Sequence, residues 1–155
     1  MRLGWAVASP EILEKLALLK LAADTQNSTL NMSATSDYLT RYDIDAHIAR
    51  AIPVYRQKRD LMLATMAQTF PDDVQFTEPD GGLFVWLTFP DGFDATAFMA
   101  ETLVPEAKIA YVPGATFFPV HQEPNHARLS FSGVPDDRLV HGISELGRLL
   151  RQRRP

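Results

Sequence analysis

Up to about Asp24 the chain is dominated by apolar residues, and its predicted helix has no wide polar face. The run Leu3 to Ala8 contains two β-formers and predicts a strand buried on both faces. A helix is predicted directly after it, because Ser9 can cap it and Pro10 suits its first position. This helix extends to about Asp24, and such an apolar helix is normally buried between layers or subunits. Its apolar residues are Ile12, Leu13, Leu16, Leu18, Leu19 and Leu21.

Two more helices are predicted before the pattern changes. The polar stretch 26–29 follows the end of the first helix, and a shorter helix is predicted from there as far as Tyr38. Asp43 or Asp45 then begins a long helix that reaches about Phe70. Pro53 lies inside this helix and is expected to kink it. Its apolar seam consists of Ile44, Ile48, Ile52, Tyr55, Met62, Met66 and Phe70.

After Pro71, strands and helices alternate over short distances. Short apolar runs predict strands at 74–76, 83–89, 109–112 and 127–131. Apolar positions at helical spacing predict helices at 94–103 and 136–151. Residues 71–155 are therefore expected to form a small α+β domain with its own core. Residues 1–70 are not expected to form such a domain, because one strand and mostly apolar helices cannot close a core alone. The long helix 43–70 joins the two parts.

Composition and charge exclude several classes of function. An apolar fraction of 46% is typical of a globular protein and argues against disorder. A net charge of -4 argues against nucleic-acid binding, and the Lys/Arg clusters at 56–59 and 148–154 fall on predicted helices, where solvated faces explain them. The absence of cysteine excludes disulfides, thiolate nucleophiles and cysteine zinc sites. No apolar stretch is long enough for a bilayer and no signal peptide is recognisable, so a cytoplasmic protein is expected.

Metal and hydroxyl chemistry find little support in the sequence. Ser130 and Ser132 lack the pattern of a nucleophile elbow. The methionine and phenylalanine residues follow helix and strand periodicity and are expected in the core. The histidines show no metal-ligand spacing, and we expect them to be exposed and to bind no metal: His47, His121, His126 and His141.

Motifs spread over the whole chain together carry a family resemblance. They are Arg2-Leu3-Gly4-Trp5, Tyr55-Arg56-Gln57-Lys58-Arg59-Asp60-Leu61-Met62, Pro79-Asp80-Gly81-Gly82-Leu83-Phe84-Val85-Trp86-Leu87, Tyr111-Val112-Pro113-Gly114-Ala115-Thr116-Phe117-Phe118 and Ala127-Arg128-Leu129-Ser130-Phe131-Ser132. Each is weak alone, but their order and spacing resemble the C-terminal part of class I/II pyridoxal-phosphate enzymes of the aspartate-aminotransferase fold. The branch they resemble most acts on 2-aminoadipate, aromatic and branched-chain amino acids.

The resemblance implies both an architecture and an activity. Residues 1–42 would be the C-terminal piece of a large α/β cofactor-binding domain, 43–70 the connecting helix, and 71–155 the small α+β C-terminal domain. The intact protein would be a homodimer that uses pyridoxal 5'-phosphate to transfer an amino group from an α-amino acid to a 2-oxo acid. It would have no nucleic-acid contact through this segment and no membrane partner.

Two other functions stay open. The same motifs occur in the aminotransferase-like halves of GntR-type transcription regulators, which would make the chain an effector-binding or dimerisation module. A free-standing small-molecule binder that uses only residues 71–155 is the other alternative.

Two arginines fall on positions with a role in the family. Arg2 corresponds to the arginine that binds the cofactor phosphate, and a guanidinium matches phosphate oxygens bidentately. A terminal arginine in solvent is the simpler alternative. Arg128 corresponds to the arginine that binds the substrate α-carboxylate. It lies inside an apolar strand, where a charge needs an anionic partner, and a buried salt bridge within the chain is the alternative.

Three further segments are weaker candidates. In the family, the stretch Gln26 to Asn31 reaches into the active site of the partner subunit, although a polar loop between helices explains it nearly as well. Gly82 and the turn 112–114 correspond to active-site walls. Glycines at strand ends are more often plain turn residues.

The catalytic lysine of the family has no counterpart in this sequence. It forms the Schiff base with the cofactor and lies a few residues before the phosphate-binding arginine, where only Met1 precedes Arg2. Lys15, Lys20 and Lys58 fall on predicted helices, and Lys108 precedes a strand. We therefore expect this chain to be a fragment without catalytic activity of its own, with Met1 an internal methionine of a longer protein.

Overall fold

The structure, a computed structural model, describes residues 2–153. The expectation for Met1 therefore lies outside the described residues. The chain divides into two compact units, Met1–Arg50 and Ala51–Pro155. The domain boundaries expected from the sequence, after residues 42 and 70, stay predictions. No helix among the described residues is both long enough and apolar enough to cross a membrane.

The first unit is built from helices, as predicted. They are α1 (Pro10–Ala23), α2 (Thr29–Arg41) and the start of α3 (Ile44–Thr69). Pro10 lies in the first turn of α1, the Ser28 hydroxyl caps α2, and the Asp43 carboxylate accepts the Ala46 amide at 2.9 Å. Neither α1 nor α2 has a buried residue, so the leucines that predict a covered helix are exposed here.

The predicted strand at Leu3 to Ala8 is wrong for this structure. Residues 2–9 belong to no helix or strand, and the side chains of Trp5 and Val7 are 87% and 92% exposed. A strand exists through hydrogen bonds to a neighbouring strand. None of the four strands among the described residues pairs with this segment, so its β-forming residues stay unpaired.

The second unit contains one antiparallel sheet. Its strands are β1 (Gln75–Phe76), β2 (Phe84–Thr88), β3 (Val112–Pro113) and β4 (His126–Ser130), in the order β1-β2-β4-β3. Each corresponds to a predicted strand, although β3 begins three residues later than expected and is shorter. In the central pair, Trp86 lies opposite Arg128, and Thr88 opposite His126.

Helices cover one face of this sheet. The helical segment predicted from Asp94 begins with α4 (Ala95–Phe98), passes through a π-helical turn (Met99–Leu103) and ends with α5 (Val104–Ala107). The Asp94 carboxylate caps this segment by accepting hydrogen bonds from the backbone amides of Thr96 and Ala97, each at 2.9 Å. The last helix, α6 (Asp136–Gln152), matches its predicted bounds to within one residue. Pro53 lies inside α3, as predicted.

The core lies between the sheet and these helices. Alternation along β2 and β4 sends one set of side chains into it, as predicted for β2. The fully or nearly buried side chains from the sheet and helices include Met62, Met66, Val85, Leu87, Phe89, Phe98, Leu103, Ala127, Leu129, Leu139, Leu146 and Leu149. Only the C-terminal part of the predicted α3 seam is buried, because Ile48, Ile52 and Tyr55 are exposed.

Tyr111 makes a buried polar contact in this core, and its replacement gives a measurable prediction. Its hydroxyl donates to the Ala95 carbonyl at 2.7 Å. Burial, with a smaller contribution from the Asp94 carboxylate, raises the pKa of Tyr111 well above its ordinary value of about 10. The folded state therefore holds the phenolic proton more tightly, so its contribution to stability is complete below pH 10 and falls as the pH rises above it.

We expect Tyr111→Phe to lower the free energy of unfolding by about 1 kcal/mol at pH 7, because the buried hydrogen bond from the Tyr111 hydroxyl to the Ala95 carbonyl is lost while the Met99 amide still donates to it. As the pH rises above 10, the free energy of unfolding of the variant should also fall less than that of the wild type. Urea denaturation between pH 7 and pH 11 measures both effects. An unchanged difference between wild type and variant across that range would contradict the pKa assignment.

Candidate functional site

The face of the sheet opposite the core carries the candidate site. Alternate residues of β2 and β4 point to this face, which we call the site face: Phe84, Trp86, Thr88, His126, Arg128 and Ser130. The two strands pair antiparallel, so Arg128 lies directly across from Trp86. The same alternation that builds the core on one side therefore presents an arginine among aromatic rings on the other.

The Arg128 guanidinium lies against two phenylalanine rings. Its Cζ atom lies 4.1 Å from the ring centroid of Phe84 and 4.6 Å from that of Phe117. Both distances are within the range of cation–π interactions, each of which is worth about 0.5–2 kcal/mol. The two ring contacts restrict the movement of the guanidinium without supplying a polar partner for its N–H groups.

Arg128 has no polar partner among residues 2–153. Its Nε–H group is buried and donates to no acceptor, and no carboxylate of the described residues forms an ion pair with the guanidinium. The buried salt bridge that the sequence left open is therefore not formed within the described part of the chain. An unsatisfied buried donor on a permanently charged group is costly, and such groups are concentrated at binding sites.

A cluster of rings continues from Arg128 along the site face. Trp86 meets Phe117 edge to face, with centroids 5.7 Å apart. The His126 ring stacks on Trp86 at 5.5 Å and on Phe118 at 5.4 Å. These four rings form a wall beside the guanidinium, defined here as the ring cluster Trp86, Phe117, Phe118 and His126.

His126 is buried, contrary to the exposure predicted for the histidines. Only 8% of its surface is exposed, because the ring packs against both Trp86 and Phe118, whose own centroids are 6.3 Å apart. Its Nε2 atom lies 2.8 Å from a Glu123 carboxylate oxygen. Within the described residues no group of three or more histidine, aspartate or glutamate side chains could hold a metal ion.

The prediction that the phenylalanines belong to the core is wrong for Phe84 and Phe117. Their side chains are 43% and 45% exposed, and they lie on the site face against Arg128. Sequence periodicity could not separate them from core rings, because both faces of β2 are apolar. The one feature of the sequence that could have indicated their position is Arg128, because an arginine within an apolar strand needs neighbouring groups that stabilise its charge.

Arg2 lies in the first unit, and its guanidinium has no polar partner among residues 2–153. It is exposed, its backbone adopts a φ of 59°, and it makes no hydrogen bond or ion pair with the described residues. Residues in that left-handed region are uncommon without a specific reason. An unpaired, accessible guanidinium fits the needs of a phosphate group, which takes two parallel N–H donors.

Three residues of the weaker candidate segments, Asn27, Ser28 and Gly82, have local structural roles. Asn27 accepts a hydrogen bond from Lys20 at 2.8 Å and Ser28 caps α2, as a polar loop between helices would do. Gly82 has a φ of 81°, which favours glycine in the turn before β2. These observations explain the residues structurally, and their proximity to an active site stays a prediction.

Three cavities are formed by the described residues, and only the third includes a residue of the site face, Ser130. One of about 430 Å³ is lined by residues from 71–74, 89–93 and the end of α6, a second of about 170 Å³ by residues of α3 and the turn 79–83, and a third of about 220 Å³ by α6 and residues 108–110. Arg128 lines none of the three. The Arg128 site is therefore an open sheet face, which a further protein surface would have to complete to enclose a ligand.

Comparison with known proteins decides the family. The family model for aminotransferases of class I and II matches residues 1–146. The chain belongs to this family. It is 36% identical over 151 residues to aromatic-amino-acid aminotransferase 1 of Thermococcus litoralis, a match that includes 97% of the chain and 36% of that protein. It is also 31% identical over 146 residues to the HTH-type transcriptional regulator NorG of Staphylococcus aureus, covering 94% of the chain and 32% of the regulator.

Solved aminotransferases share the fold. The α-aminoadipate aminotransferase LysN of Thermus thermophilus, complexed with N-(5'-phosphopyridoxyl)-L-leucine, matches with a TM-score of 0.81 and 33% identity. The match covers 94% of this chain and 37% of LysN. The chain thus spans little more than a third of the length of the aminotransferases it matches, and the resemblance drawn from its motifs is confirmed.

Proposed function

We propose that this chain is part of a pyridoxal-phosphate-dependent aminotransferase and that Arg128 binds the α-carboxylate of its amino-acid substrate. The observation that carries the proposal is that Arg128 is charged, in contact with the rings of Phe84 and Phe117, and without a polar partner in the described residues. In the reaction, an amino group passes from an α-amino acid to a 2-oxo acid. Both of these molecules carry a carboxylate.

The geometry of the guanidinium suits a planar anion. Phe84 and Phe117 both lie against the guanidinium and offer it no hydrogen-bond acceptor, so its N–H groups are left for an anion. A carboxylate can accept two parallel N–H bonds in the guanidinium plane, and this pairing is both strong and directional. Arg128 would thus fix the orientation of the substrate as well as its charge.

Arg2 fits the phosphate of the cofactor. Its guanidinium is exposed and unpaired among the described residues, and the related LysN was solved with a phosphopyridoxyl-leucine adduct. When bound, pyridoxal phosphate supplies the carbonyl that takes up the amino group and the conjugated ring that delocalises negative charge. The protein would contribute phosphate binding through Arg2 and substrate orientation through Arg128. Homodimeric assembly of the intact protein belongs to the same proposal.

Three of the four lysines of the chain are paired and so poorly suited to covalent attachment of the cofactor, and the fourth, Lys15, is exposed on α1. Lys20 is paired with Asp24 at 2.7 Å, Lys58 with Asp136 at 2.8 Å, and the Lys108 ammonium donates to the Pro105 carbonyl. A protonated, paired ammonium is a weak nucleophile.

We therefore expect that mixing the chain with pyridoxal phosphate and reducing with borohydride labels no single lysine preferentially. Peptide mapping by mass spectrometry measures the distribution of label. A free peptide with the same lysines gives the background. One uniquely labelled lysine together with amino-group turnover would contradict the expectation that this chain lacks the catalytic lysine.

Titration with a 2-oxo acid tests the carboxylate site directly. The Nε–H signal of Arg128 in a ¹H–¹⁵N spectrum should shift saturably with 4-methyl-2-oxopentanoate, because the buried Nε and its guanidinium sense the new ion pair. The neutral analogue 4-methyl-2-pentanone is the control and should cause no such shift. Equal shifts with both compounds, or none with the 2-oxo acid, would refute the assignment.

The similarity to NorG supports a second function, that of a ligand-binding half of a transcription regulator. The same carboxylate site would then bind an effector and no turnover would occur. The DNA upstream of the codon for Met1 discriminates between the two. A winged-helix coding segment ahead of an aminotransferase-like half indicates a regulator, and its absence from the complete reading frame indicates an enzyme.

A further inference from the structure

We propose that His126 is a positioning residue for the Arg128 guanidinium, which it holds in place through Trp86 and Phe117. His126 precedes Arg128 by two residues on β4, so both side chains lie on the site face. The proposal rests on the carboxylate-binding role of Arg128. His126 itself contacts neither the guanidinium nor the carboxylate and acts only through the rings between them.

The imidazole is held at both of its nitrogens. Its Nε2 atom lies 2.8 Å from the Glu123 carboxylate, and its Nδ1 atom lies 3.1 Å from the Thr88 hydroxyl and 3.3 Å from the Leu87 carbonyl. Thr88 belongs to β2 and Glu123 to the loop before β4, so the ring is tethered from two sides. It cannot turn about its side-chain bonds without breaking at least one of these contacts.

A chain of ring contacts leads from this fixed ring to Arg128. His126 stacks on Trp86 with centroids 5.5 Å apart and an interplanar angle of 29°. Trp86 meets Phe117 at 5.7 Å, and Phe117 covers the Arg128 guanidinium at 4.6 Å. Since each aromatic pair is stabilised beyond the area it buries, removing the first ring loosens the others.

The backbone provides a second connection. A Cβ atom at Gly114 would lie only 2.3 Å from the Cβ of His126, so the chain approaches His126 more closely here than any other residue type allows. Gly114 begins the 3₁₀-helix Gly114–Phe117, whose last residue covers Arg128. The position of Phe117 is therefore tied to His126 by backbone packing as well as by rings.

The chemical shifts of Arg128 report this positioning without any ligand. Protons held over the face of an aromatic ring resonate upfield of their usual position, and the Arg128 side chain lies over two such faces. In His126→Ala, we expect the Arg128 δ-methylene signals to lose the part of their upfield shift that Phe117 contributes, while Phe84 keeps its own part. His126→Phe keeps a stacked ring and should retain it, while the exposed His121→Ala is the matched control.

Carboxylate affinity provides the second readout. The dissociation constant for 4-methyl-2-oxopentanoate should rise about three- to tenfold in His126→Ala and by less than about twofold in His126→Phe. A purely structural role for His126 predicts a lower melting temperature but unchanged Arg128 shifts in the folded protein. Unchanged shifts and affinity in a folded His126→Ala protein would overturn the proposal.

Two further variants keep the test decisive if His126→Ala does not fold. Glu123→Ala and Thr88→Val each remove one tether of the ring, and each should shift the Arg128 signals part of the way toward those of an exposed arginine. No shift in either folded variant would overturn the proposal. Failure of the wild-type chain to bind the 2-oxo acid would instead refute the proposed function, and the ligand-free spectra would still decide the role of His126.

Discussion

We expect that, if the proposed aminotransferase function holds, replacing Arg128 by glutamine in the intact protein lowers kcat/KM for amino-acid donors by about two to three orders of magnitude. Truncating one member of a desolvated charge pair costs about 2–5 kcal/mol, and each 1.4 kcal/mol corresponds to about a factor of ten. Arg128 has no partner among the described residues that could compete with or replace a substrate carboxylate. Steady-state kinetics with an amino donor and a 2-oxo acid measure the loss.

Two variants define how specific this effect is. Arg128→Lys keeps the charge but cannot present a planar pair of donors or fill the space between two rings, so it should recover only a small part of the activity. Arg138→Gln removes an arginine of α6 that lies outside the site face and should leave the kinetics unchanged. A kcat/KM of Arg128→Gln close to that of wild type would show that the carboxylate binds elsewhere.

Gly147→Ala lowers the free energy of unfolding by about 1–3 kcal/mol, although alanine is the better helix former. Gly147 lies in α6 against the end of α3, where a Cβ atom would lie 2.5 Å from the Thr69 carbonyl oxygen. That oxygen also accepts a hydrogen bond from Arg151, so it cannot move freely to make room. Urea denaturation of the chain measures the loss.

Gly142→Ala is the matched control in the same helix. Its Cβ atom would meet only the Ile109 side chain, at an ordinary contact distance of 3.8 Å. We expect this substitution to be neutral or to stabilise the chain by up to about 1 kcal/mol, through helix propensity alone. If both variants had the same stability, the close approach of α6 to α3 would not be a determinant of the fold.

Much of the fold is predictable because local signals and burial agree. Helix α6 combines acidic residues at its start with apolar residues at helical spacing, and its bounds agree with the prediction to within one residue. Strand β2 alternates as expected between the core and the site face. The segment Leu3 to Ala8 shows the limit of such local signals, because its β-forming residues need a pairing partner that no local pattern can provide.

The candidate site is predictable in part. Arg128 stands out as a permanent charge in an apolar strand, and the family motifs around it point to carboxylate binding. Phe84, Phe117 and His126 do not stand out, because an aromatic residue in a strand or turn has the same sequence signature whether it faces the core or a ligand. The contacts of Phe84 and Phe117 with Arg128 join separate segments of the chain and form only after the strands pair.

By itself, the sequence determined the family, the helices, the existence of a small α+β domain and the identity of its unusual arginine. These follow from residue type, periodicity and the order of motifs, which can be read along the chain without knowing which distant residues come into contact. Only the tertiary structure decided that Arg128 has no polar partner among the described residues, that two phenylalanine rings lie against its guanidinium, and that a hydrogen-bonded histidine packs against the neighbouring Trp86. The physical reason is that cation–π contacts, stacking and desolvation depend on distances between residues far apart in the chain, which the pairing of β2 with β4 sets.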